Sequence, residues 1–406
     1  MTEKTFQFKK YQFNPKTGVA LFDYASGEHR LREKLVLPAV KNKLSKNQWA
    51  ALDSALFNLF LMAGISYYKA YCPRVIDLGK YKLNKEQATF WDKVYTKGLG
   101  EFFYQNKLDF RGLVNFPYDK NHKVKAIKIK ARNESLVPIG GGKDSIVVAE
   151  RLKARGKKIS LFNLTNQQKT NQIIIDTAQV SGEKLIAVRR QIAPELIALN
   201  QKKGVYNGHI PFSAYLAFLT LAVAIINEDK EIALGNEKSA NYGNVKYRGT
   251  IINHQWSKSL EFEKMFQAYA RKFITPSIRY YSELRKFNEL QIAGMFVHYP
   301  QYFYKFSSCN KNFRFTAKAQ SKWCGECAKC VFVWTMLSAH LQKKQLLDIF
   351  NKNLYADRKL KPLFQELLGQ KNIKPFECVG TPAEMKRALK LAKENFGEEI
   401  NKLNII

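Results

Sequence analysis

A glycine-rich turn between an apolar run and a helical segment constrains the fold of this chain more than any other feature. Residues 140–145 read Gly-Gly-Gly-Lys-Asp-Ser, after an apolar run at 135–139 and before a helical pattern at 146–155. Glycines allow a backbone to pass close to phosphate oxygens, and the N–H groups that open the following helix then bind the anion. The turn is not a Walker A loop, because Asp144 follows the lysine where that motif requires Ser or Thr. The pattern predicts an anion-binding unit of strand, loop and helix.

Strands and helices alternate around this turn. Apolar runs predict strands at 135–139, 158–164, 184–188 and 231–234, and helical spacing predicts helices at 146–155 and 212–227. Such alternation is typical of a parallel, doubly wound α/β sheet, whose ligands bind at the carboxyl ends of the strands. We therefore expect the functional residues in the loops that follow these strands.

The two ends of the chain follow other patterns. Residues 1–40 alternate apolar and polar positions around a turn at 14–18, which predicts a β-hairpin. Helical spacing begins near Lys46, so the first 130 residues are predicted to form an α+β domain. The last 65 residues are helical and charged, with Thr381 and Pro382 suited to start a helix.

Four cysteines form a motif of their own. Cys309, Cys324, Cys327 and Cys330 are spaced as C-x14-C-x2-C-x2-C. Four thiolates at this spacing make a closed tetrahedral site, so the prediction is a structural zinc ion. A [4Fe–4S] cluster and unliganded core cysteines remain alternatives.

Charge and cysteine content limit the partners and the cellular compartment that can be expected for this protein. The net charge of +33 suggests a polyanionic partner, but residues 1–130, 131–300 and 301–406 carry +13, +10 and +10, which favours a lysine-rich solvated surface. The first residues lack a secretory signal, and the apolar stretch at 49–71 is too interrupted for a bilayer span. We expect a cytoplasmic protein without membrane insertion, in which Cys72 and Cys378 are ordinary buried residues in apolar surroundings.

Two motifs resemble those of a known superfamily. Residues 141–145, Gly-Gly-Lys-Asp-Ser, resemble the Ser-Gly-Gly-x-Asp-Ser loop of the PP-loop ATP pyrophosphatases, which split ATP into AMP and pyrophosphate while adenylating a substrate. Gly140 departs from the first Ser of that pattern, so a hydroxyl contact to pyrophosphate is lost and the substrate class does not carry over. The cysteine spacing is similar to the zinc-binding end of 7-cyano-7-deazaguanine synthase, itself a PP-loop enzyme.

Three further segments narrow the resemblance. Residues 207–214 (Asn-Gly-His-Ile-Pro-Phe-Ser-Ala), 234–241 (Leu-Gly-Asn-Glu-Lys-Ser-Ala-Asn) and 281–284 (Tyr-Ser-Glu-Leu) resemble the ATP-dependent epimerase of UDP-N-acetylmuramoyl-L-alanyl-L-glutamate. The resemblance implies a PP-loop fold of the adenine nucleotide α-hydrolase-like type, a cytoplasmic isomerase, and ATP and Mg²⁺ as cofactors. It also implies a UDP-linked muramoyl dipeptide as substrate, whose terminal L-glutamate is inverted through an acyl adenylate during peptidoglycan precursor synthesis.

The resemblance also implies a division of labour along the chain. Residues 1–130 would recognise the substrate, 131–305 would form the PP-loop ATP-binding domain, 306–345 the cysteine module, and 346–406 a helical tail. In the loop, backbone donors would hold phosphate, Lys143 would neutralise the leaving pyrophosphate, and Asp144 would hold magnesium. The predicted nucleotide-binding residues are Gly140, Gly141, Gly142, Lys143, Ser145, Asn163, Thr165, Asn166, Gly235 and Asn236.

Proton transfer is assigned to His209 and Glu237, since both lie in loops next to predicted strand or helix ends that face the same crevice. A structural histidine, and a metal-binding or turn-capping Glu237, remain alternatives. Arg248 and Arg279 are candidates for pairing with a substrate carboxylate or diphosphate.

Two other functions fit parts of the sequence. A PP-loop enzyme that modifies tRNA or makes a deazapurine would use the positive charge and keep the zinc, although nucleic acid is the less favoured partner. A nucleotide-binding regulator without turnover is the non-enzymatic alternative. The sequence makes no prediction of oligomeric state.

Overall fold

In a computed structural model, which describes residues 5–41, 43–166, 169–313, 322–371 and 373–405, the chain is built on a nine-stranded sheet with a separate two-stranded ribbon. The strands of the large sheet are β1 Thr5–Asn14, β2 Val19–Ser26, β3 His29–Val36, β4 Val75–Asp77, β5 Arg132–Pro138, β6 Lys158–Thr165, β7 Leu185–Gln191, β8 Asp229–Leu234 and β11 Arg279–Ser282; those of the ribbon are β9 Val245–Tyr247 and β10 Thr250–Ile252.

The parallel half of the sheet is doubly wound. Its order is β11-β8-β5-β6-β7, with every neighbouring pair parallel, so the strands run outward from β5 in both directions. The predicted α/β class and the four predicted strands are confirmed, whereas β11 was missed, because four residues at a sheet edge give too short a pattern. The order reverses between β5 and β8, and ligands of such folds bind at this point.

The N-terminal strands extend the same sheet. The predicted hairpin is present as β1 and β2, and β3 continues the meander and pairs antiparallel with β7. Helix α1, Lys46–Tyr68, packs against helix α7, Phe212–Asn227, inside one core that both halves share. The sheet therefore continues across residue 130, and the four-part division of the chain stays a prediction.

The remaining helices connect the strands of the sheet or form the C-terminal part of the chain. Helix α4, Lys143–Ala154, begins at Lys143 instead of 146, because Gly142 serves as its N-cap. The last helix begins at Pro382, with Thr381 as its N-cap. The bounds of the other helices are α2 Lys85–Gly98, α3 Gly100–Gln105, α4 Lys143–Ala154, α5 Gln172–Ser181, α6 Pro194–Leu199, α8 Leu260–Phe273, α9 Glu289–Phe296, α10 Ala328–Ser338, α11 Lys343–Phe350, α12 Lys361–Leu367 and α13 Pro382–Leu403.

Helix α1 is long and apolar enough to cross a membrane by length and composition, but 72% of its most apolar window is buried inside the protein. Its aromatic and aliphatic side chains pack on the meander and on α7. The apolar surface of α1 is thus used by the core, as is common for the central helix of a folded domain.

A buried ion pair joins the two halves of the sheet. Arg190 of β7 donates to both carboxylate oxygens of Glu33 of β3, at 2.9 and 2.7 Å, and both side chains are at most 1% exposed. The hydroxyl groups of Tyr67 and Tyr215 donate to the same carboxylate at 3.0 and 2.9 Å. Because every charged group here has partners, the pair tolerates burial.

Replacing Glu33 with Ala should lower the free energy of unfolding by about 3–5 kcal/mol, because Arg190 would stay buried without a counter-charge. Urea denaturation followed by circular dichroism measures the change. The matched control is Glu86→Ala, which breaks an exposed pair with Lys272 and should cost about 0–1 kcal/mol. Equal losses in the two variants would show that the buried pair does not hold the halves together.

Candidate functional site

A cavity of about 520 Å³ opens at the carboxyl edge of the parallel strands. Its wall includes Ile139 after β5, Thr165 of β6 and Leu234 of β8, and therefore spans the point where the strand order reverses. This volume lies within the range of about 300–1,000 Å³ that small-molecule sites occupy. The cavity lies at the strand ends, where the sequence predicts the site.

The glycine loop is tightly packed against its neighbours. Gly141 has a φ of +77°, and a Cβ there would lie 2.8 Å from the side chain of Ile173. A Cβ on Gly142 would lie 2.5 Å from Ser308 Oγ. Gly140, by contrast, faces open space among the described atoms and lines the cavity. Packing therefore requires glycine at positions 141 and 142, and backbone conformation also requires it at 141, while Gly140 leaves the cavity side of the loop open.

The start of α4 is suited to an anion. Among the described residues, no side chain caps this helix, since Gly142 is the N-cap and Ser145 Oγ donates back to the Gly142 carbonyl at 3.1 Å. The N–H groups of a first helical turn have no partners within the helix. Gly142, Asp144 and Ser145 all line the cavity, so the loop fits a phosphate group there.

Lys143 is placed differently from its predicted role at the pyrophosphate. Its side chain is 1% exposed, and its ammonium contacts the carboxylates of Asp144 and Glu289. Although burial lowers it, these two charges raise the pKa of Lys143 above its ordinary range. The lysine is therefore a charged partner of two carboxylates in the interior, while Asp144 also reaches the cavity wall.

Two other lysines, which sequence reasoning missed, line the cavity. Lys258 ends a short 3-10 turn, Trp256–Lys258, and Lys329 lies in the first turn of α10. Burial lowers the pKa of Lys258, but the nearby Cys378, Glu237 and Asp144 outweigh this and raise it above the usual range. Lys329 lies between Cys327 and Cys330 in the sequence, and this position is the one signal from which it could have been predicted.

The other predicted residues divide into two groups. Asn163, Thr165 and Asn166 line the cavity, and Asn163 Nδ2 also donates to the Ile139 carbonyl at 3.0 Å, which ties β6 to the glycine loop. Gly235 and Asn236 line it too, and a Cβ on Gly235 would lie 3.2 Å from the Asp144 backbone.

The second group lies away from the cavity wall. Glu237 is 2% exposed, and its backbone carbonyl accepts a hydrogen bond from Arg285. Arg279 pairs with Glu231 at 3.3 Å and stacks on Tyr281. Arg248 lies over the ring of Tyr247. Of the described residues that line the cavity, none is Glu237 or either of these arginines, so the structure does not bring them to the predicted ligand.

His209 lines the cavity as predicted and belongs to a cluster that the sequence did not reveal. Its ring lies 4.6 Å from that of His254, and its Nδ1 is 3.4 Å from the carboxylate of Glu101. Burial lowers the pKa of His209 to about 3, assisted by the charges of His254 and Lys69. The imidazole is therefore neutral at physiological pH.

The prediction for Cys378 was wrong, whereas that for Cys72 is confirmed. Cys72 is buried in the main core, and burial raises the pKa of its thiol to about 12. Cys378 lies instead on the cavity wall, 3.8 Å from His254 Nε2 and close to Lys258. An isolated cysteine in the sequence carries no sign of such polar neighbours, because they come from distant segments.

The four cysteines of the predicted metal site come together. Their sulfur atoms all lie within 4.8 Å of one another, with 3.5 Å between Cys327 and Cys330 and 3.7 Å between Cys324 and Cys330. Four converging sulfurs are a set that could bind a metal such as zinc, and they would leave no position open for water. Cys309 and Cys330 are fully buried, as a structural site requires.

The fold and the cavity define a class of protein. It is a doubly wound α/β protein with a glycine loop at the cavity where its strand order reverses, and with a separate group of four cysteines. Family models match most of this chain. Residues 1–283 match the MurL N-terminal domain, and residues 305–402 match the MurL C-terminal domain. The chain belongs to the MurL family.

Curated relatives carry one description, UDP-N-acetyl-alpha-D-muramoyl-L-alanyl-L-glutamate epimerase. The relative from Xanthomonas oryzae pv. oryzae is 36% identical over 387 residues, which cover 95% of this chain and 85% of that protein. Relatives from a Micromonospora species and from Salinispora tropica are 36% and 35% identical, over 96% and 97% of this chain and 87% and 85% of theirs.

Among solved structures, one described as a predicted subunit of tRNA methyltransferase from Methanocaldococcus jannaschii aligns with 41% of this chain and 76% of that chain. The sequence identity is 14% and the TM-score is 0.25. So distant a likeness supports no inference about fold or function.

The purified protein should contain about one zinc ion per chain, because four converging thiolates form a closed site. Replacing Cys330 with Ser should release the metal and lower the melting temperature, whereas Cys72→Ser should keep the metal content unchanged. Elemental analysis by mass spectrometry measures both. Iron with visible absorption would assign an iron–sulfur cluster, and protein without either metal would contradict a metal site.

Proposed function

We propose that this protein is an isomerase that inverts the terminal L-glutamate of UDP-N-acetylmuramoyl-L-alanyl-L-glutamate to D-glutamate. The observation that carries the proposal is the 36% identity, over 95% of the chain, to a relative described as the epimerase of this substrate. The substrate name links the reaction to peptidoglycan precursor synthesis, so a cytoplasmic location follows from the proposal. The substrate would be a nucleotide-linked dipeptide whose terminal glutamate has a free α-carboxylate.

We further propose that ATP is cleaved to AMP and pyrophosphate to activate this carboxylate. A carboxylate makes its neighbouring Cα–H a very weak acid, because deprotonation would add a second negative charge nearby. Joining the carboxylate to AMP as an acyl adenylate removes that charge and lets the enolate delocalise. After inversion, water would hydrolyse the acyl adenylate, which releases AMP and restores the free carboxylate. The support from this chain is the uncapped start of α4, the open face of Gly140 and the lysines on the cavity wall.

The residues on the cavity wall suggest which side chains and backbone groups would hold the phosphates and the metal ion. The N–H groups after Gly142 would hold the phosphates, and Lys258 and Lys329 would supply positive charge opposite the leaving pyrophosphate. The carboxylate of Asp144, 24% exposed, would hold Mg²⁺, which shields phosphate charge. Lys143 would not contact the ligand, but its ammonium would donate to the Asp144 carboxylate and hold it in position. Of the two predicted proton-transfer groups, His209 lines the cavity, whereas the buried Glu237 is not among the described residues of its wall.

Incubation of the protein with ATP, Mg²⁺ and UDP-N-acetylmuramoyl-L-alanyl-L-glutamate should release pyrophosphate and AMP and produce D-glutamate in the dipeptide. Pyrophosphate is measured by a coupled assay, and chirality by chromatography after acid hydrolysis. Inversion without ATP would refute the adenylation step alone. No inversion, together with pyrophosphate release stimulated by tRNA, would instead favour a tRNA-modifying enzyme.

Replacing Asp144 with Asn should reduce pyrophosphate release at least ~100-fold, because the metal-binding carboxylate is lost at the loop. The matched control is Asp348→Asn, an exposed aspartate of α11, which should retain full activity. Thermal melting shows whether each variant is folded. Wild-type rates in a folded Asp144→Asn variant would remove this residue from the site.

A further inference from the structure

Three side chains from distant parts of the chain lie next to one another in series, and two of them line the cavity. Glu101 comes from α3, His254 from the loop after β10, and Cys378 from the segment before α13. The carboxylate of Glu101 contacts His254 Nδ1, and His254 Nε2 lies 3.8 Å from Cys378 Sγ. His254 and Cys378 line the same cavity as the glycine loop. A carboxylate, an imidazole and a thiol are thus arranged in series beside the proposed activation site.

The backbone around this line is held in place by further contacts. The His254 N–H donates to Asn244 Oδ1 at 2.9 Å, and Gln255 Nε2 donates to the Val379 carbonyl at 3.1 Å. Lys329 Nζ donates to the Cys378 carbonyl. The loop that carries the imidazole is therefore bonded directly to the segment that carries the thiol, and the arrangement is preorganised.

The electrostatic surroundings favour a charged pair. Burial raises the pKa of Cys378, but Lys258 and His254, with Lys329, outweigh burial and bring it to about 6. Burial lowers the pKa of His254, yet its hydrogen bonds with Cys378 and Glu101 raise it to about 9. The buried Lys374 is a further cation near the thiol. Between these two values the pair exists as thiolate and imidazolium.

We infer that Cys378 is the catalytic acid–base group of the inversion, with His254 and Glu101 as the residues that position and charge it. This inference rests on the proposed function for its substrate. It adds a group that the sequence did not suggest and that can remove a proton at neutral pH. The neutral His209 shares the Glu101 carboxylate with the imidazolium of His254, and Glu101 contacts His254 more closely.

The step balances with water as the second proton carrier. The Cys378 thiolate takes the proton from Cα of the activated glutamyl group, and the electron pair of the Cα–H bond moves into the acyl group as an enolate. Water in the cavity then gives a proton to the opposite face of Cα. The Cys378 thiol then returns its proton to the hydroxide through water in the cavity, which restores both the thiolate and the water.

The ionisation of Cys378 is testable without any substrate. Iodoacetamide reacts with thiolates, so its rate at Cys378, followed by peptide mass spectrometry between pH 5 and 9, should rise with a midpoint near 6. In a folded His254→Gln variant the midpoint should move up by at least one pH unit, and Glu101→Gln should move it in the same direction. Cys72 serves as the internal control, because its buried thiol should stay unmodified.

The role in inversion is tested by separating it from ATP cleavage. Cys378→Ala should still release pyrophosphate from ATP and the UDP-linked dipeptide, while formation of D-glutamate and uptake of deuterium from D₂O at Cα fall at least ~100-fold. Cys72→Ala should retain both activities. If wild-type protein neither cleaves ATP nor inverts the substrate, the proposed function fails. The pH dependence of alkylation still decides whether Cys378 is ionised by His254 and Glu101.

Three outcomes would overturn the inference. The first is a Cys378 midpoint near that of an ordinary thiol, or one that His254→Gln leaves unchanged. The second is a Cys378→Ala variant that inverts glutamate at the wild-type rate. The third is a divalent ion, additional to the metal of the cysteine cluster, that is lost in His209→Ala, since the donor atoms of Glu101, His209 and His254 lie within 4.8 Å of one another.

Discussion

The buried ammonium of Lys143 is the constraint on which the site depends. A charge removed from water must be paired, and here the partners are Asp144 in the next position and Glu289 at the start of α9. The N–H of Glu289 donates in turn to the carboxylate of Glu384, which also forms the capping box of α13 with Thr381. The ion pairs of Lys143 and the hydrogen bond between Glu289 and Glu384 thus link the glycine loop, α9 and α13. The segment leading into α13 brings Cys378 to the cavity.

The elements that have a regular pattern of apolar residues in their own sequence were predictable. Apolar runs and helical spacing gave the four inner strands, the hairpin and α7, because each is specified by its own side chains. The glycine loop and the four cysteines were also predictable, since their residues are neighbours in sequence. The pairing of β3 with β7 was not, because nothing in either strand identifies its partner.

The missed site residues share one property: they are defined by packing between distant segments. His254 lies 153 residues from Glu101 and 124 from Cys378, so no spacing rule connects them. The position of Lys143 after three glycines predicted a contact with phosphate. Its side chain instead pairs with two carboxylates in the interior. Side-chain direction depends on tertiary neighbours, and a motif read along the chain contains no information about them.

The continuous sheet has a consequence for dissecting this protein. If the chain were divided at residue 130, β7 would lose β3 and become an exposed edge, and Arg190 would be left in the interior without Glu33. Unpaired edges of this kind invite association with other chains. The two fragments are therefore poor starting points for separate expression, and complementation of one by the other would require them to re-form a sheet of nine strands.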